Sequence, residues 1–89
     1  MTIVSATPPD LARAIAAFPE DVLLIRRLFL ADRAFRSACE DYRLAREGLD
    51  AFARRQHDEP RPEIEEYQRL VRELEAELRD MINAVRGQA

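Results

Sequence analysis

Ile64, Tyr67, Val71, Leu74, Leu78, Met81 and Val85 recur at alternating intervals of three and four residues. That spacing keeps side chains on one stripe of an α-helix; a strand, with period two, would scatter them over both faces. The same rhythm runs through Leu24, Leu28, Ala31, Phe35, Ala38, Tyr42, Ala45, Leu49 and Phe52. Between the two runs stands His57-Asp58-Glu59-Pro60-Arg61-Pro62, whose prolines punctuate a connection. A loop of about six residues returns the chain antiparallel. The spacing therefore predicts a helical hairpin with arms over 32–56 and 62–86, each about 36 Å long at about 1.5 Å per residue. Its seam is Tyr42, Leu49 and Phe52 on the first arm and Ile64, Tyr67, Val71, Leu74, Leu78 and Met81 on the second. Gly48 weakens the first arm as a helix and offers room for a close approach.

The chain ahead of the hairpin reads as shorter helices. Residues 1–6 form a flexible start. Thr7-Pro8-Pro9-Asp10 is a helix-start signal, with Thr7 as cap and Pro8 at the first helical position. A short helix over 8–18 ends before Pro19, since proline disfavours helix in the preceding residue. Pro19-Glu20-Asp21 opens a second helix over 20–31. Asp32 either caps a new helix there or lies within one continuous helix; the pattern admits both. The expected fold is a single all-α domain, a long antiparallel helical hairpin preceded by one or two short helices. Two copies pairing would form a four-helix bundle.

Residues 22–30 are apolar nearly all round, broken only by Arg26-Arg27. Such a helix is normally covered on several sides. Leu11, Ile15 and Phe18 of the first helix are candidates to fold over it. The alternative is association, with Leu23, Leu24, Leu28, Phe29 and Phe35 at the interface.

The chain has 89 residues, 47% of them hydrophobic and 35% charged, with two glycines. A domain this short buries a modest share of its surface, so partner helices would add stability. All 14 basic residues are arginine, and the net charge is −3. General affinity for nucleic acid is not expected from an acidic chain. No apolar run approaches a membrane span. The first ten residues lack the basic start of a secretory signal. With Cys39 as the lone cysteine, no intrachain disulfide forms and a reducing cytoplasm is the expected setting.

Few residues offer chemistry. His57, the one histidine, lies in the loop beside Asp58 and Glu59 and reads as a solvated turn residue rather than a metal ligand or general base. Cys39, between Phe35 and Tyr42, reads as a small buried hydrophobe. Tyr42 and Tyr67 place rings on the seam and hydroxyls toward its edge. Tyr67-Gln68-Arg69-Leu70 matches a short sorting pattern, which lies inside a predicted helix. Adjacent carboxylates such as Glu40-Asp41 and Glu65-Glu66 diverge by about 100° on a helix and share no site. Glu65–Arg69 and Glu75–Arg79 have the spacing of surface ion pairs. Arg26-Arg27 and Arg54-Arg55 are phosphate-contact candidates, or partners for Glu20, Asp21, Asp50 and Asp58. Neither a phosphate-binding loop nor a nucleophile elbow is present. No catalytic residue, cofactor or metal is expected.

Phe18-Pro19-Glu20, the Ile25/Leu28 pair, Asp32 with Phe35, Asp41-Tyr42, Leu49-Asp50 and a heptad helix ending near Met81-Ile82 together resemble the YdcH-like family of short bacterial proteins. The resemblance covers about residues 18–82 and implies a helical hairpin with no assigned activity. The chain departs from that family in lacking lysines in its last helix. The expected function is a helical protein–protein interaction module or small adaptor that self-associates as a homodimer. A nucleic-acid-binding regulator using the arginine clusters, or a peripheral protein of the membrane surface, are the alternatives.

Overall fold

A computed structural model describes residues 7–55 and 62–87; the loop carrying His57 and the first six residues lie outside them. The fold is all-α. Helix α1 spans Pro9–Ala17, a 3₁₀ turn spans Pro19–Asp21, α2 spans Val22–Ala31, α3 spans Arg33–Arg55 and α4 spans Pro62–Arg86. Helices α3 and α4 form the hairpin, α1 packs chiefly along α3, and α2 packs on α1 and the start of α3.

The first helix starts one residue later than its sequence signal. Pro9 takes the first helical position, Pro8 precedes it, and no side chain caps the end. Thr7 is thus not the cap. Asp10 pairs instead with the Arg43 guanidinium of α3, tying α1 to the hairpin. Phe18 ends α1 with φ −131° and ψ 66°, its N–H bonded to Ala14 O. Pro19 makes continuation unfavourable, as expected.

The two readings of Asp32 resolve into a corner. Its N–H donates to Leu28 O at 2.8 Å and so closes α2. Its carboxylate Oδ1 accepts from the N–H groups of Ala34 at 2.9 Å and Phe35 at 3.2 Å, capping α3. Arg36 Nη1 reaches back to the carbonyls of Phe29 at 2.8 Å and Leu30 at 3.2 Å. Those are end groups of α2 without a helical partner, so one residue pair serves both helix ends. The unbroken apolar rhythm across residue 32 is therefore not one helix. Ala31, which continues that rhythm, is exposed.

The core collects Leu11 and Ala14 of α1, Ile25 and Leu28 of α2, Phe35, Ala38, Cys39, Tyr42 and Ala45 of α3, and Val71, Leu78 and Ile82 of α4. Tyr42, Val71 and Leu78 of the predicted seam are buried, and Leu49, Phe52, Ile64, Tyr67, Leu74 and Met81 are half-buried. Ile25 and Ile82, which are not among the stripe residues, are more deeply buried than Leu24 and Met81. The seam widens because α1 and α2 add helices beside the hairpin, and each helix needs apolar groups on a broader arc. Leu28 and Phe35, placed at an association interface by sequence, belong to this intrachain core. Leu24 and Phe29 pack against it. Within one chain α1 and α2 already pack at those positions.

Near the loop end of the hairpin, Tyr67 stacks at a tilt against Phe52, ring centroids 5.3 Å apart. Gly48 makes that placement fit: a Cβ at position 48 would stand 2.5 Å from Tyr67 Cε1 and 2.8 Å from Cζ.

Two outcomes follow from this packing. Asp32→Ala removes the cap of α3 and should lower unfolding stability by about 1 kcal/mol in urea titration. Gly48→Ala should fail to deliver the ~1 kcal/mol normally gained by replacing a helix-interior glycine. In a Tyr67→Ala background the same change should deliver it, and equal effects in both backgrounds would show that the ring does not set the requirement.

Candidate interaction surface

Chemistry on this molecule is sorted by helix flank. On the flank of α4 that faces α1 and the 3₁₀ turn, Arg79 lies over the Phe18 ring, 5.3 Å from its centroid. Arg86 pairs with Asp21. The predicted Glu75–Arg79 pair is thereby replaced: Glu75 Oε2 accepts the Tyr42 hydroxyl at 2.7 Å instead. Glu65 and Arg69 are likewise not within ion-pair distance among the described residues. At Glu75 and Arg79 tertiary partners outcompete an exposed i,i+4 pair, which contributes only about 0.3–0.5 kcal/mol.

Two clefts lie along this flank. One, of about 370 Å³, is bordered by Phe18, Asp21, Arg79 and Arg86. The other, of about 210 Å³, is bordered by Arg13, Tyr42, Arg46 and Glu75. Their charged groups are largely engaged within the chain. Asp21 holds Arg86, Tyr42 holds Glu75, and Arg13 stands 3.9 Å from Asp50. Arg46 Nε is enclosed without a hydrogen-bond partner among the described residues. Opposite charges face each other across both clefts, so neither offers a ligand a field of one sign.

The reactive candidates are insulated. Cys39 is fully buried, and burial, with Asp10 nearby, pushes its thiol up to about 12. A thiol so far above neutral pH supplies no thiolate nucleophile. Tyr42 is pushed up to about 12 by burial and by its bond to Glu75. Its hydroxyl acts as a structural donor at the seam edge. Among the described residues no group of three or more His, Cys, Asp or Glu is placed to hold a metal ion. No described helix is long and apolar enough to cross a membrane.

The arginine clusters do not meet. Arg26 and Arg27 are exposed on α2, which leads into the start of α3. Arg54 is exposed near the far end of α3, about 32 Å along the axis from Arg33 at ~1.5 Å per residue. The side chain of Arg55 lies outside the described residues, as does Asp58. The expected ion-pair partners of the clusters are also committed elsewhere, Asp21 to Arg86 and Asp50 to Arg13.

What stands free is a surface on α2. Leu23 is 81% exposed and Leu30 82%. Seven residues apart, they share one face of the helix, two turns from each other, with Arg26 and Arg27 between them. Ile25 and Leu28 hold the other face in the core. Leu23 was expected at an interface, and Leu30 belongs to the same apolar segment; their spacing marks them as a pair. Leu44 and Leu70 are the other large apolar side chains exposed among the described residues, at 51% and 42%.

No family of known proteins, no curated protein and no solved structure matches the chain.

Burial of Cys39 and Tyr42 sets a measurable pH dependence. Both folded-state values lie above the ordinary 9.0 and 10.0, so the folded chain holds protons that the unfolded chain has released. Stability is then full below about pH 9 and falls as pH rises toward about 12. The urea midpoint should drop across that window, and Cys39→Ala should flatten the lower part of the drop. Native protein at pH 8 should be inert to a thiol reagent until denaturant is added; prompt labelling would show an accessible thiol.

Proposed function

We propose that this protein is a helical interaction module that self-associates through the outward face of α2 and acts by helix-on-helix contact rather than by catalysis. The observation that carries this reading is the exposure of Leu23 and Leu30 on a helix whose opposite face is already in the core. Two leucines left almost fully in water on one ten-residue helix are a cost that a partner surface removes. The engaged charges of both clefts and the insulated thiol support a binding role over an enzymatic one. The likeness to YdcH-like helical hairpins agrees with it. The cytoplasm suits a chain with one deeply buried, reduced cysteine.

On this reading the interface lies farther out on α2 than the sequence suggests. Leu28 and Phe35 hold the chain together, whereas Leu23 and Leu30 are free to hold a partner. A double substitution Leu23→Ser, Leu30→Ser separates the two roles. Its helical circular dichroism and melting temperature as an isolated monomer should stay close to wild type. Light-scattering mass after size exclusion, across a dilution series, should show association weakened about 100-fold or more, since burying each leucine contributes about 1.5–3 kcal/mol. Wild-type protein that stays monomeric throughout overturns the reading, as does a double variant that associates unchanged.

A further inference from the structure

We infer that the surface receiving α2 is the outer flank of α4 on a second copy of this chain. This rests on self-association as proposed above and names the second half of the contact.

Glu63, Glu66, Leu70, Glu73, Glu77 and Asp80 recur at three- and four-residue intervals along α4, and all six are exposed. They form a second stripe on that helix, beside the buried one. Its five carboxylates have no cation within ion-pair distance among the described residues. Arg72, Arg79 and Arg86 stand seven residues apart on a different flank, while Arg69 stands exposed at the edge of the stripe beside Leu70, so the stripe carries five carboxylates against one arginine. One apolar side chain, Leu70, interrupts the acidic stripe.

The outward face of α2 has the opposite character. Arg26 and Arg27 are exposed between Leu23 and Leu30, and neither is in an ion pair among the described residues. The spacings match. Arg26 and Arg27 lie three and four residues from Leu30, about 4.5–6 Å along the axis. Glu66 and Glu73 lie four and three residues from Leu70, the same distances. Seating Leu30 on Leu70 brings the two arginines opposite one of those glutamates whether the helices run parallel or antiparallel, with Leu23 two turns away over the side-chain stem of Glu63 or Glu77. The apolar contact is desolvated at its centre and ringed by opposite charges, an arrangement that fixes register and disfavours wrong partners. In a dimer with a two-fold axis the contact is made twice, α2 of each copy lying on α4 of the other, and assembly closes.

The charge pattern gives a test by exchange. Arg26→Glu with Arg27→Glu makes α2 acidic; Glu66→Arg with Glu73→Arg makes α4 basic. All four positions are exposed, and circular dichroism should show both variants folded. Each variant alone puts like charges together twice per dimer, and its association should weaken about 100-fold or more. Mixed in equal amounts, the two variants present opposite charges at both contacts. A heterodimer should form with affinity within about tenfold of wild type, read by light scattering of the mixture. Rescue on mixing supports the assignment. If both variants associate like wild type while Leu23→Ser, Leu30→Ser dissociates, self-association stands and α4 is not the receiver. If only the α2 variant weakens, or mixing restores nothing, the α4 contact is likewise overturned. Wild type that is monomeric at every concentration removes the self-association reading itself.

Discussion

Asp32 holds the two halves of the chain at a fixed corner. Its N–H closes α2 on Leu28, and its carboxylate opens α3 on Ala34 and Phe35. Arg36 then covers the last carbonyls of α2. The corner determines which face of α2 meets the hairpin. Ile25 and Leu28 turn into the core beside Phe35, while Leu23 and Leu30 turn out. A continuous helix through residue 32 would have carried α2 away from the hairpin and left the core without those two side chains.

The remaining polar contacts extend the same logic. Asp10 with Arg43 and Asp21 with Arg86 fasten α1 and the 3₁₀ turn to the two hairpin arms. Tyr42 with Glu75 ties the arms to one another at the seam edge. These pairs are partly exposed, so each contributes modestly to stability. Their larger effect is on orientation: they leave one flank of α4 with its charges engaged and another flank with five carboxylates free. In a domain this small the core is limited.

The proposed function rests on where unengaged groups remain. The clefts present mixed charges that already face one another, and the one thiol is buried. The unengaged groups lie on helix exteriors, apolar and basic on α2, acidic on α4. Helix-on-helix recognition uses such faces directly, through anchors at three- and four-residue spacing.

Much of this architecture was legible in the sequence. Alternating threes and fours require helix, and a proline-punctuated connection between two such runs points to a hairpin, because both depend only on local backbone geometry. The Phe18-Pro19 boundary and the burial of Cys39 were legible for the same reason: they follow from proline sterics and from position on a helical stripe. What the sequence left undecided was which way each side chain turns once helices meet. The apolar rhythm runs through Asp32 without pause, so only the capping bonds reveal the break there. Arg79 and Glu75 have the spacing of a surface pair, yet each finds a tertiary partner. Leu23, Leu28 and Phe35 read alike as apolar residues near a crowded segment. Their separation into one exposed leucine and two core residues depends on the angle at which α2 meets α3, and that angle is a property of the packed chain.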